Sequence, residues 1–391
     1  MMQVAPFLLH AVPNILGVAG FGQALEGMLL ARQFRGGPLR RNGSPCPPVT
    51  VLKPLHGNEE LLEEALSSFC TLDWPELQIL CGVADPNDPA IAVVERVRRA
   101  YPQARLDLVQ NAQVLGHNRK VSNLIHMLPY AAHEILVISD SDMHVAPDYL
   151  RRVTSSLSAA GVGLVTSLYV GRLPKDGIVP QLAAAQIAQI FAPGALLARK
   201  LGRQDCLGAT MALTKTTLAR IGGFERLLAF VADDAWMGKF VADLGMEVRL
   251  CAAIPATTIA ESDFSSLWQH ELRWARTVRS VEPVGFAASI LQFPLLFFAI
   301  NAVLMHHHLR ALVFFLGAWA LRAAVGRATE IYLGAPATPL YLAPIREAFS
   351  VAVWCAAHFG QTVAWRGQIL TTMVSSHDFS RASATIKGPH S

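Results

Sequence analysis

Asp140 and Asp142 stand one serine apart at the end of the apolar run 135–138. A short β-branched run of that kind reads as a buried strand. In an extended segment residues i and i+2 point to the same face, so the two carboxylates meet in one place. Like charges brought that close repel each other unless a cation lies between them. A divalent metal is the natural counter-ion, and the rest of the chain must then say what the metal holds.

Two further acidic positions join the pair. "ILCGVAD" is a second apolar run that ends in an acid, Asp85, and "VADDAWMGKF" places Asp233 and Asp234 at a helix start. Each has a local alternative: Asp85 as a turn former or N-cap, Asp142 or Asp148 as the cap of a helix starting near Pro147, Asp233 as the cap of its own helix. Their joint order points instead to a nucleotide sugar, whose two phosphates must be neutralised as the glycosidic bond breaks. A hard cation held by one or two carboxylates and by the phosphates does this without a closed protein cage. Asp142 is the expected metal ligand, Asp140 assists it or touches the ribose, and Asp85 accepts hydrogen bonds from the nucleobase. The acceptor hydroxyl must lose its proton during attack, and Asp234 is the candidate base. Further on, "HELRWAR" offers Arg273 for the pyrophosphate and Trp274 to stack on sugar or acceptor.

These residues need a sheet to hold them. Strand-like runs at 49–52, 77–83, 105–109, 134–139 and 162–168 alternate with helical patterns at 59–69, 91–100 and 120–128. That alternation predicts a mostly parallel α/β sheet with helices on both faces. Ligands of such sheets sit outside the carboxyl ends of the strands, where Asp85, Asp140 and Asp142 fall.

Of the 391 residues 52% are apolar and only 16% charged, against roughly 25% charged in a soluble domain. The deficit predicts membrane segments. Residues 3–32 are almost uncharged apart from Glu26 and long enough to span, with a signal peptide as the other reading; Arg32, Arg35, Arg40 and Arg41 at and beyond their end mark the cytoplasmic side. Further apolar segments lie at 284–305, 309–321 and 349–365, whereas 181–201, interrupted by Pro193 and Gly194, reads as an interfacial helix, the wall of an acceptor pocket or a helix packed on the sheet. A net charge of +4 gives no argument for nucleic-acid binding. Six scattered cysteines without a CxxC pair argue against zinc and a disulfide framework. The reading is therefore an anchor at 1–32, a catalytic domain at 45–280, membrane or interfacial helices at 281–370 and a disordered tail at 371–391. A permease or scaffold would need no acids at three strand or helix ends.

The series Asp85, Asp140-Ser-Asp142, Asp234 and Arg273-Trp274 resembles the D, DxD, D, (Q/R)xxRW series of inverting nucleotide-sugar glycosyltransferases of GT-A type, a Rossmann-like mixed sheet. "KPLHGNEELLEEALSSFCTLDWP", "ADPNDPAIAVVERV" and "GHNRKVSNLIHMLP" are similar to the ceramide glucosyltransferase group. "NRKVSNLI", "SDSDMHVAPDYLRRV" and "GATMALTKTTLARIGGF" are similar to its hopanoid biosynthesis associated bacterial subgroup. The resemblance implies Mg²⁺ or Mn²⁺ at Asp142 and Asp140, a UDP-sugar donor, and N-acetylglucosamine transfer to a bacteriohopanepolyol. Glucose transfer to ceramide is the alternative. It also implies a multi-pass protein of the bacterial inner membrane with its catalytic domain facing the cytoplasm. Lys120 falls where the family has a basic residue near the nucleotide, with a solvated helix-start lysine as the other reading. Asp233 is assigned to substrate binding. His270 stands where the wider pattern has Gln or Arg, and a histidine can still donate to a phosphate oxygen.

Overall fold

The computed structural model describes residues 4–35, 46–304, 308–360, 362–365 and 368–371. They fall into two compact units. One gathers the described residues of Pro38–Tyr169, Arg203–Ala260 and Leu370–Ser391; the other those of Met1–Gly37, Val170–Gly202 and Glu261–Ile369.

The first unit is built on a sheet. Its strands, in chain order, are β1 (Val49–Pro54), β2 (Leu77–Val83), β3 (Arg105–Gln110), β4 (Ile135–Ile138), β5 (Met143–His144) and β6 (Val162–Ser167). After β7 (Val170–Arg172), which belongs to the other unit, come β8 (Met211–Thr214), β9 (Glu247–Cys251) and β10 (Ala256–Thr258). Seven of them form one sheet in the order β3-β2-β1-β4-β8-β6-β9. β1 to β4 run parallel, β8 is antiparallel to both its neighbours, and β9 returns parallel to β6. All five strand-like runs of the sequence are strands here. The central ones are buried on both faces, so their side chains alternate between two cores. Val49, Val51 and Val137 join one cluster with Phe69 and Tyr149, while Leu52, Leu136 and Ile138 join the other with Leu124 and Phe240. The antiparallel β8 carries "MALT", too short a run to stand out in the sequence.

The second unit is helical and apolar. Among the described residues, four helices can cross a membrane by length and composition: Ala11–Phe34, Ile178–Lys200, Leu309–Leu333 and Leu340–Ala357. Pro283–Gln292 and Pro294–Leu304 form a fifth candidate bent by 60°. Three expectations change. The segment around 181–201 is one continuous helical run, because a π turn at Ile187–Phe191 precedes Pro193 and the proline falls in the first turn of the α-helix that follows. Leu309–Leu321 extends to Leu333, since the charge that interrupts its hydropathy, Arg322, is buried and paired with Glu347 at 2.6 Å. The segment 349–365 does not continue as a helix: it stops at Ala357, and Thr362–Trp365 is a strand. In 284–305, Pro294 accounts for the break. Of the tail expected to be disordered at 371–391, Thr371 ends the strand Gln368–Thr371 and 372–391 lie outside the described residues, as do residues 36–45 with Arg40 and Arg41.

Candidate active site

β4 is in register with β1, Ile138 opposite Leu52, and the backbone N–H of Ser139 still donates to the Leu52 carbonyl at 3.0 Å. The chain then leaves the sheet through Asp140, Ser141 and Asp142, and each residue of this turn is held by a side chain from elsewhere. Lys53 Nζ donates to the Asp140 carbonyl at 2.7 Å. Ser141 Oγ donates to Glu59, and Thr257 Oγ1 donates to Asp142 Oδ2. Thr258 N reaches the Asp142 carbonyl at 3.1 Å, because β5 pairs antiparallel with β10 directly after the turn. Lys53 is fully buried, with its ammonium 4.3 Å from the centre of the Phe69 ring. Burial lowers its pKa to about 8 against the opposing pull of Asp142.

Lys120 connects this turn to the second acidic pair. Its helix, Arg119–Met127, is capped by Asn118, whose side chain accepts from Val121 N at 3.1 Å. The helix docks on β2 at Gly82: Asn123 donates to the Gly82 carbonyl at 2.7 Å, and a Cβ on Gly82 would sit 2.4 Å from Asn123 Oδ1. A side chain at Gly82 would have to displace Asn123 and Met127. From there Lys120 Nζ lies 2.6 Å from Asp140 Oδ1 and 3.7 Å from Asp233 Oδ2. Its side chain is only 13% exposed, so the solvated-lysine reading fails. Burial alone would lower its pKa, but Asp140 and then Asp233 outweigh it, and Lys120 stays charged.

Asp233 and Asp234 open the helix Asp233–Asp243, at its positive end. Neither caps it through a side-chain bond; the residue in the cap position is Ala232. Asp233 pairs with Lys120 at 3.7 Å and accepts from Asn118 Nδ2 at 3.3 Å through Oδ1, while its buried Oδ2 makes no hydrogen bond. Asp234 differs: one oxygen accepts from Ala235 N at 2.8 Å, and the other faces Gly208, where an added Cβ would lie 3.0 Å away. Burial first, then the charge of Asp233, pushes Asp234 up to about 6.

Asp142 is likewise raised to about 6, by burial and then by Asp140. The site thus concentrates negative charge on hard oxygen donors, which fits a hard divalent cation. Among the described residues no three His, Cys, Asp or Glu side chains are grouped to hold a metal by themselves. Asp140 and Asp142 could therefore supply part of a coordination shell, with phosphate oxygens supplying the rest.

Asp85 stays apart from these ion pairs. It is exposed beyond the end of β2 and accepts from Asn87 N at 2.8 Å, the local turn its residue type favours. His270, Arg273 and Trp274 belong to the helical unit, on the helix Phe264–Val281. There His270 Nδ1 meets Glu261, and its ring packs edge-on to Trp274 at 4.3 Å. Burial would raise the Glu261 pKa, but His270, with a smaller contribution from Arg273, holds it below the usual range.

Sequence reasoning passed over Lys53, Glu59, Asn118, Gly208 and Thr257. Lys53 had a signal, a cation inside the apolar run "VTVLKPL", and Asn118 the mark of an N-cap before a helix. Thr257 had none, being 115 residues from its partner Asp142. Lys53→Met should orphan the Asp140 carbonyl and cost about 1–3 kcal/mol of stability, read as a lowered melting temperature. An unchanged melting temperature would mean the turn holds without it.

A mixed, mostly parallel sheet with two acidic stations at its carboxyl edge defines a glycosyltransferase of GT-A fold. Residues 11–375 match the family model "Glycosyl transferase family 21", and the chain belongs to that family. Ceramide glucosyltransferase 1 of Caenorhabditis elegans is 23% identical over 231 residues, 59% of this chain and 49% of that protein. Ceramide glucosyltransferase of Komagataella phaffii is 32% identical over 127 residues, 30% of this chain and 25% of that protein. The match thus spans about half the length of the nematode relative. Among solved structures, a mannosyltransferase from Pyrobaculum calidifontis in complex with GDP-Man and Mn²⁺ is 22% identical, with 90% of this chain and 99% of that chain covered at a TM-score of 0.50. At that identity the likeness concerns the fold.

Proposed function

We propose that the protein transfers a sugar from a UDP-sugar to the hydroxyl of a membrane lipid with inversion at the anomeric carbon. The observation that carries this reading is Lys120, which brings Asp140 of the β4 turn and Asp233 of a distant helix start to 2.6 and 3.7 Å from one ammonium. Acids far apart in the chain are thereby brought to one ammonium. Asp85 receives the nucleobase and Asp140 the ribose or, with Asp142, the metal. A bound Mg²⁺ or Mn²⁺ would offset the charge of the departing diphosphate. Asp234 takes the proton of the acceptor hydroxyl as its oxygen bonds to the anomeric carbon and the bond to UDP breaks. Asp233, fixed by Lys120 and Asn118, keeps the pKa of its neighbour high enough for that task. His270, Arg273 and Trp274 serve the diphosphate and the acceptor. The catalytic region is 45–280, anchored by 1–32 and 281–370 in a bacterial inner membrane and facing the cytoplasm.

The hopanoid-subgroup motifs favour N-acetylglucosamine and a bacteriohopanepolyol, and the ceramide glucosyltransferases among its relatives favour glucose and ceramide. One assay separates the two. The purified protein receives each UDP-sugar with each lipid in mixed micelles and Mg²⁺ or Mn²⁺. We expect glycosylated hopanoid from UDP-N-acetylglucosamine. Glucosylceramide alone would move the assignment to the second reading, and no glycolipid from any combination would sink both.

A further inference from the structure

The helix Phe264–Val281 begins at a capping box, Asp263 accepting from Ser266 N at 2.9 Å. Its two buried side chains are Leu267 and Glu271, one turn apart on the same face. Leucine suits such a position. A glutamate does not, because a buried carboxylate without a partner is strongly destabilising. Here both arms of the Arg346 guanidinium reach it, at 2.7 and 2.6 Å, and the two residues are 5% and 1% exposed. Arg346 lies on the last apolar helix, Ala343–Ala357, and also donates to the Leu182 carbonyl at 3.1 Å and to Ser350 Oγ at 3.0 Å.

A bidentate fork fixes distance and rotation together. In apolar surroundings a shift of either helix would leave two charges unpaired, so alternative registers are excluded more strongly than by leucine packing. Farther along, the same helix also meets the chain that follows Ala357. Arg276 donates to the carbonyls of Thr362 and Phe359 at 2.6 and 2.7 Å, and Arg279 to those of His358 and Gly360 at 3.1 and 2.7 Å. Glu271 sits in the sequence between His270 and Arg273, so whatever fixes its side chain fixes where those two point.

We propose that Glu271 and Arg346 are positioning residues of the transfer reaction. Their bidentate pair sets the register of the Phe264–Val281 helix against the last apolar helix and so aims His270, Arg273 and Trp274. This rests on the reading of Arg273 as a ligand of the donor diphosphate. A pair that served stability alone would be replaceable by apolar residues at little cost, since such replacements are often neutral.

The test uses the full chain in detergent and measures melting temperature, UDP affinity, and kcat and KM for transfer. Glu271→Met/Arg346→Met removes both charges and leaves neither orphaned. We expect it to fold with a near-parental melting temperature and to lose about 10²-fold in kcat/KM, the scale of a misplacement of about 1 Å. Combined with Arg273→Gln, the loss should fall short of the product of the two separate losses, because the pair acts in part through that side chain. Full kcat/KM in the methionine pair, or a loss that multiplies with Arg273→Gln, overturns the proposal. Should the methionine pair not accumulate, Glu271→Gln carries the same test, and a change confined to its melting temperature overturns it equally. A silent Arg273→Gln would fail the diphosphate reading itself. The proposal is then decided by the same double variant with Trp274→Ala, where multiplying losses would overturn it.

Discussion

Asp234→Asn is expected to reduce lipid transfer by about 10²–10⁴-fold, the usual cost of removing a general base, while UDP affinity and melting temperature stay where they were. The side chain makes one local backbone bond, to Ala235 N, which the amide oxygen retains. Asp233→Asn should behave differently. It weakens the hold of Lys120 and Asn118, so stability and transfer should fall together. The pH profile gives a second check. Asp234 acts when deprotonated and its pKa is raised to about 6, by burial and then by Asp233. The acid limb of kcat/KM should therefore bend near pH 6 and fall about tenfold per unit below it. If Asp233→Asn keeps its melting temperature and loses turnover, while Asp234→Asn stays active, the base is the earlier residue.

Chelation of divalent ions should abolish transfer, and added Mg²⁺ or Mn²⁺ should restore it. Asp142→Asn should give the same loss without restoration, in a protein that still inserts and folds. An independent readout is the melting temperature, which a metal that binds only the folded chain raises with concentration. Asp142 is raised to about 6 by burial and then by Asp140, so protons compete with the cation. The metal-induced rise should therefore be full above pH 6 and shrink as pH falls through it. Undiminished turnover in excess chelator, or an equal metal-induced rise in Asp142→Asn, would remove Asp142 from the role of ligand.

The sequence by itself determined the sheet and its acidic edge. Apolar β-branched runs bury on both faces and declare themselves without knowledge of partners, which is why β1 to β4 and β6 were legible. Asp85, Asp140 and Asp142 stood out because a charge directly behind a buried strand is costly to hold unless a cation or a ligand meets it. The membrane segments were legible in outline, but hydropathy counts every charge as exposed. It therefore cut the Leu309–Leu333 helix short at Arg322, whose charge Glu347 offsets inside the bundle.

Only the tertiary structure decided which charges meet. Lys120 and Asp140, Lys53 and the Asp140 carbonyl, and Thr257 and Asp142 are separated by 20 to 115 positions in the chain, and no periodicity links them. Whether a lysine at a helix start faces water or two carboxylates depends on how closely its helix can approach the sheet. Here the absence of a side chain at Gly82 leaves room for Asn123 and Met127 of that helix. The same holds for the two adjacent acids at 233 and 234, equivalent as letters. They part company because one is seized by Lys120 and Asn118 while the other is left against Gly208. Local composition fixes what a strand or helix is made of. The pairing of charges follows from the packing distances between elements, which belong to the folded chain.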